Sequence, residues 1–286
     1  MKNGTVMNPS VRLEPPQVAR VVKAMAGHDA IECVTLTGSR VTGFASRESD
    51  MDLFVYVRDT EGLRSIRSVL AAEWADTGAA IVLGQPGHPN TDVWVLRGTG
   101  VWMDIMFWSC RWAEEELDWR LLECSPKPGY TTCFWRSIRD GFPLFERTRW
   151  HGDLQKRARA PYPEILRTRI IELNAALMGS ENPFSFLNQM RKAVDAADLV
   201  AVQHRTAAWL ACYFDLLFAA NRVLHPGEKR LIAFAERECE RVPERFGQDV
   251  LELVQRAANL DPGPVGSAGR MLDRLGDAGL LDFRVS

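Results

Sequence analysis

Apolar positions in the first half of the chain switch between helical spacing and short continuous runs. In the second half they keep helical spacing throughout. Behind Pro15-Pro16, the spacing over residues 17–25 predicts an amphipathic helix. Residues 31–37 and 52–57 are apolar runs rich in β-branched and aromatic side chains, which predicts two buried strands. Helical period returns over 61–76 at Leu63, Ile66, Val69, Leu70 and Trp74, and a short strand is expected over 79–83. Residues 93–96 and 101–108 flank Gly98-Thr99-Gly100 and read as a hairpin. A helix over 113–122 is broken by Ser125-Pro126-Lys127-Pro128-Gly129.

Strand formers thin out after Trp150. Residues 155–163 are basic and proline-containing and read as a linker. Beyond it, 163–178 has a period near 3.6, Asn182-Pro183 looks like an N-cap with proline at the first helical position, and 205–224 is apolar nearly all round. That last segment should lie at the centre of a bundle. The pattern therefore predicts an α+β protein, a mixed sheet with helices over residues 1–152 followed by an all-α helical bundle over 153–286. No internal repeat or low-complexity tract interrupts it.

Composition narrows the class of function. The 286 residues are 46% apolar, enough for a core in each half. A formal net charge of -2 argues against a grip on long nucleic acid, for which a clustered basic surface is expected. The six cysteines show no paired spacing of a metal finger, so reduced thiols are expected. The first 17 residues lack an apolar signal region and no apolar run is long enough to span a bilayer, so a cytoplasmic location is expected.

The chemistry concentrates in residues 38–57. Gly38-Ser39 ends the first predicted strand, where a glycine lets the backbone approach a ligand and offers amides and a hydroxyl to phosphate oxygens. Asp50 and Asp52 stand at the mouth of the second strand and, by alternation, project the same way. Two neighbouring carboxylates are costly to ionise together, and a divalent cation relieves that cost. Arg40 and Arg47 flank the turn, placed either to touch a triphosphate or to solvate the loop.

A Gly-Ser pair followed after a short segment by Asp-x-Asp resembles the signature of the DNA polymerase β nucleotidyltransferase superfamily. In that family a third carboxylate comes from a later strand. Here Asp104 is the acid inside the apolar run 101–108, where an unpaired carboxylate has no structural reason to be; Asp92, at the start of the preceding strand, is the competitor. The resemblance implies that Asp50, Asp52 and Asp104 hold two Mg²⁺ ions, that Gly38, Ser39 and Arg40 bind the nucleotide, and that ATP is the donor. The helical second half resembles that of antibiotic nucleotidyltransferases, such as those acting on aminoglycosides and lincosamides. Residues 213–231 also resemble the helical domain of an uncharacterised nucleotidyltransferase-associated family. The implied reaction is transfer of AMP to a hydroxyl of a small molecule with release of pyrophosphate. The alternatives are adenylylation of a protein acceptor or of RNA, and a non-catalytic nucleotide sensor.

Other residues carry two readings each. Lys229, expected near a helix N-terminus, fits either a β- or γ-phosphate or an ordinary surface. His225, before Pro226, is either a proton shuttle or a corner of the fold. Asp195 and Asp198 are expected on one helix face, as acceptor contacts or as ion-pair partners of Arg191. Asp215, amid apolar neighbours, calls for a buried partner, with Asn221 or an arginine in view. Of the nine tryptophans, Trp94, Trp102, Trp108 and Trp112 cluster near the hairpin, for base stacking or for packing.

Overall fold

Helix α1 (Gln17–Ala26) turns Val18, Val21, Val22 and Met25 onto one buried face, as its spacing demands. It belongs to a computed structural model that describes residues 15–46, 49–59, 62–260 and 263–281; Arg47 and Glu61 lie outside the described residues. Strand β1 (Ile31–Leu36), the single turn α2 (Ser39–Thr42), strand β2 (Met51–Val57) and helix α3 (Leu63–Trp74) follow. Next come a meander of β3 (Ile81–Gln85), β4 (His88–Val95) and β5 (Trp102–Ser109), then helices α4 (Cys110–Leu121) and α5 (Cys133–Asp140), strand β6 (Phe142–Glu146) and helix α6 (Trp150–Ala158). Helices α7 (Glu164–Met178), α8 (Phe186–Asp195), α9 (Leu199–Ala220), α10 (Leu231–Glu238), α11 (Phe246–Ala257) and α12 (Val265–Asp277) complete the chain, an α+β order ending in helices alone.

The contacts divide the chain into two units, Met1–Leu117 with Ser137–Ala160, and Asp118–Arg136 with Pro161–Ser286. This division differs from the expected boundary after residue 152, because residues 118–136 cluster with the helices. A polar network around Asp215, invisible to periodicity, accounts for the difference. The expected linker 155–163 is likewise helical up to Ala158, and only residues 159–163 stand between α6 and α7.

In the first unit the sheet has the order β3-β4-β5-β2-β1-β6, antiparallel except for the β2–β5 pair. Met51, Leu53, Val55 and Val57 share one face with their partners Met103, Ile105 and Phe107, and they pack with α1 and with Leu63, Leu70 and Ala71 of α3. Alternation sends Asp52, Phe54 and Tyr56, with Asp104, Met106 and Trp108, to the opposite face. Part of that face is covered by α6, where the Tyr56 ring lies 5.3 Å from Trp150 and 5.4 Å from His151. Gln155 fixes α6 by donating from Nε2 to the carbonyls of Ile138 and Gly141 at 3.1 and 2.6 Å.

In the second unit α9 buries twelve of its residues, as its all-round apolar sequence requires. It packs on α7 and α8, and Trp209 donates from Nε1 to the Met178 carbonyl at 3.2 Å. The N-cap of α8 is Ser185, whose hydroxyl accepts from the Asn188 amide at 3.2 Å; the cap expected at Asn182-Pro183 is corrected by three residues. Among the described residues, no helix is long and apolar enough to cross a membrane.

Candidate active site

Where β1 ends, Gly38 takes φ 67° and ψ -150°, a conformation open in practice only to glycine. A β-carbon there would collide with the Asp52 carboxylate, coming within 2.6 Å of Cγ. The backbone of the turn thus lies directly against the second acid of the motif. The amides of Val41 and Thr42 both donate to the Gly38 carbonyl at 3.2 Å, which closes the turn α2. The Thr37 amide and hydroxyl donate to the Asp52 carbonyl at 2.9 and 3.3 Å, so the end of β1 pins the start of β2. Thr37 was not singled out in the sequence, which offers no signal for a side chain that binds a carbonyl across two strands.

Asp52 and Asp104 are direct partners in the parallel β2–β5 ladder. Their side chains therefore stand side by side on the face away from α1 and α3, each half-buried. Asp50 lies two residues ahead on the same strand path and is also half-buried. Asp92 is placed differently. It pairs in register with Ile105, on the helix-covered face, and is 1% exposed. Its carboxylate accepts from Arg67 Nε at 2.9 and 3.0 Å, from Arg67 Nη2, and from the Gly84 amide at 3.0 Å. A structural ion pair thus accounts for Asp92, which sits on the opposite side of the sheet from Asp104.

Arg40 aims inward. Its Nε donates to the Asp50 carbonyl at 3.1 Å and its Nη2 to the Ser49 carbonyl at 2.6 Å. Among the described residues, no three His, Cys, Asp or Glu side chains are already drawn together as a metal-binding group. The donor set nevertheless fits a hard divalent cation. All three candidates are carboxylates, and Gly38 leaves the Asp52 carboxylate space that any side chain would fill.

The remaining candidates lie in the helical unit. Lys229 is exposed in the turn ahead of α10, one residue before the N-cap Arg230, which adopts φ 58°. His225 is fully buried, and its Nδ1 accepts from the Gly227 amide at 3.1 Å. Its ring lies edge-on to Tyr130 and Phe218 at 4.8 and 5.1 Å. Burial, helped by the Arg136 charge, lowers its pKa to about 3, so it stays neutral and structural. Asp195 and Asp198 do not share a helix: Asp195 ends α8, and Asp198 caps α9 by accepting from the Ala201 amide at 3.0 Å. Asp215 accepts from the Thr131 amide at 2.9 Å, the Thr131 hydroxyl at 2.7 Å and Asn174 Nδ2 at 3.1 Å. Asn221 instead donates to the carbonyls of Leu217 and Arg241, so neither expected partner hydrogen-bonds to Asp215. Burial pushes the Asp215 pKa up to about 6 against the pull of these donors and of the Arg120 charge.

Of the tryptophans near the hairpin, Trp94 is core and Trp102 is 42% exposed. Trp108 and Trp112 stack at 4.3 Å with their planes 14° apart, and Phe54 meets Trp108 edge-on at 5.9 Å.

Comparison with known proteins bears on the first part of the chain. Residues 17–81, from α1 to the first residue of β3, match the family model described as Nucleotidyltransferase domain. That span holds Gly38, Ser39, Asp50 and Asp52, and Asp104 lies beyond it. No curated protein matches the chain. Among solved structures, a nucleotidyltransferase-like protein from Exiguobacterium sibiricum 255-15 is similar at 15% identity and a TM-score of 0.39, over 93% of this chain and 74% of that one. Residues 17–81 are thus similar to a nucleotidyltransferase domain, and the chain is an enzyme of nucleotide transfer.

Proposed function

We propose that the enzyme moves AMP from ATP to a hydroxyl of a small, antibiotic-like molecule, with Mg²⁺ as its metal. The observation that carries this reading is the side-by-side placement of Asp52 and Asp104, with Gly38 packed against Asp52. Asp50, Asp52 and Asp104 are the residues that would hold two Mg²⁺ ions. Bound there, the metal would neutralise phosphate charge and acidify the acceptor hydroxyl. The amides of the Gly38-Ser39 turn and the Ser39 hydroxyl bind the β- and γ-phosphates. The acceptor oxygen attacks the α-phosphorus in line, a new P–O bond forms, and the bond to the β-phosphate breaks. Pyrophosphate leaves with that electron pair, and Asp104 accepts the hydroxyl proton. Lys229 carries a solvated charge suited to a phosphate. Six cysteines without paired metal-finger spacing fit a reducing, cytoplasmic setting.

The test is transfer of label from α-labelled ATP with Mg²⁺ into a cell extract fractionated by size. A labelled small molecule and released pyrophosphate are expected. Label only in protein or only in RNA replaces the acceptor class, and nucleotide binding without turnover across all fractions refutes the transferase reading.

A further inference from the structure

We propose that Arg40 is a positioning residue that ties the Gly38-Ser39 turn to Asp50 and sets the direction of that carboxylate. The inference rests on the reading of Asp50 as a metal-holding acid. Asp50 precedes β2, whose ladder with β5 begins at the Met51–Met103 pair, so its backbone lies outside the sheet's hydrogen bonding with β5. The backbone carbonyls of Ser49 and Asp50 instead accept from one guanidinium, at 2.6 and 3.1 Å. Binding two successive carbonyls orients the peptide between them, and with it the Cα–Cβ bond of Asp50. Only a planar fork with fixed donor directions spans both oxygens, which a lysine ammonium on a flexible stem does not reproduce. Arg40 itself sits in α2, one residue after Ser39, within a turn of four residues. One side chain therefore spans the two halves of the motif, the turn that faces phosphate and the acid that faces metal.

This role differs from a direct phosphate contact, and the two separate in experiment. Arg40→Met and Arg40→Lys are made in the full chain, with cooperative thermal unfolding checked first. In both variants, peptides containing Ser49 to Leu53 are expected to exchange amide hydrogens about tenfold faster than in the wild type. Mn²⁺ affinity, read by electron paramagnetic resonance, is expected to fall about tenfold, and kcat on the order of 100-fold, with KM for the nucleotide within about twofold. Lysine does not rescue. The proposal is overturned if exchange over that segment is unchanged. It is equally overturned if Arg40→Lys restores kcat while Arg40→Met raises KM alone, the signature of a phosphate contact. Loss of cooperative unfolding in both variants also overturns it, since the role would then be global. A wild-type chain that neither binds Mn²⁺ nor transfers a nucleotide sinks the reading of the site instead, and the exchange comparison still decides Arg40.

Discussion

Replacing Gly38 by alanine tests the contact between turn and acid most directly. Two effects combine. The backbone at φ 67° and ψ -150° is strained for any residue with a β-carbon, a cost of about 1–3 kcal/mol. The new methyl also lies 2.6 Å from Asp52 Cγ, whereas ordinary contact begins at 3.4 Å. The carboxylate must therefore retreat by at least about 0.8 Å or rotate away, because its Oδ2 lies nearer still, and a displacement of that size in a reacting constellation costs on the order of 100-fold in rate. Gly43 supplies the control, because it also has a positive φ, 81°, yet a β-carbon there meets nothing within 4 Å. Gly43→Ala should lose about 1 kcal/mol to strain and keep its activity within a few-fold. Urea unfolding measures the stability of both variants, and pyrophosphate release measures kcat/KM. If Gly38→Ala retains activity equal to Gly43→Ala, the close approach of turn and acid has no catalytic meaning and the reasoning fails.

Asp50→Asn and Asp52→Asn should each abolish metal-dependent transfer while leaving circular dichroism and the unfolding midpoint close to wild type; activity near wild type in either would refute the mechanism. Arg67→Met strands the Asp92 carboxylate in the core and should destabilise by about 3–5 kcal/mol, read as a shift in urea midpoint; a loss below about 1 kcal/mol would show the pair to be idle. The Asp215 pKa is raised by burial from 3.8 to about 6, so the folded state holds this proton more tightly than the unfolded chain. Its contribution is fully present below pH 3.8 and is lost as pH rises through about 6, at most ~3 kcal/mol in all. Asp215→Asn removes that dependence, so the stability difference between wild type and variant should change between pH 4.5 and pH 7.5; parallel curves would refute it. His151, whose pKa burial lowers to about 4, acts in the opposite sense, its contribution present above pH 6.5 and lost as pH falls toward 4.

Much of the first unit was legible because buried strands and amphipathic helices leave strong local patterns. Alternation predicts that Asp50 and Asp52 project the same way, the family resemblance adds Asp104 from a later strand, and the β2–β5 register pairs Asp52 with Asp104. What escaped the sequence depends on partners distant along the chain. Asp92 competes with Asp104 in the sequence because its partner, Arg67, comes from a helix packed on the sheet. The bonds from Arg40 to the Ser49 and Asp50 carbonyls are likewise hidden, because a side chain bound to backbone carbonyls leaves no trace in residue order. Asp215 calls for a partner, yet Thr131 and Asn174 come from a loop and another helix rather than from its own turn. Asp198 is a different case. An aspartate directly before an apolar helical run is a cap signal, and α9 begins behind it at Leu199, six residues ahead of the expected start at Arg205.

The pairing of Asp52 with Asp104 also makes the site a mark of correct folding. The two strands are separated in sequence by a helix and two other strands, so their parallel pairing closes a long loop and belongs to the non-local contacts that form slowly. A slip of one residue in that ladder would turn Asp104 toward α1 and α3 and set an apolar side chain beside Asp52. A chain ending at residue 81 keeps the turn and its first two acids but has no strand to complete them. A cation that binds both carboxylates would favour the one register in which they are neighbours, so catalytic competence and strand alignment stand or fall together.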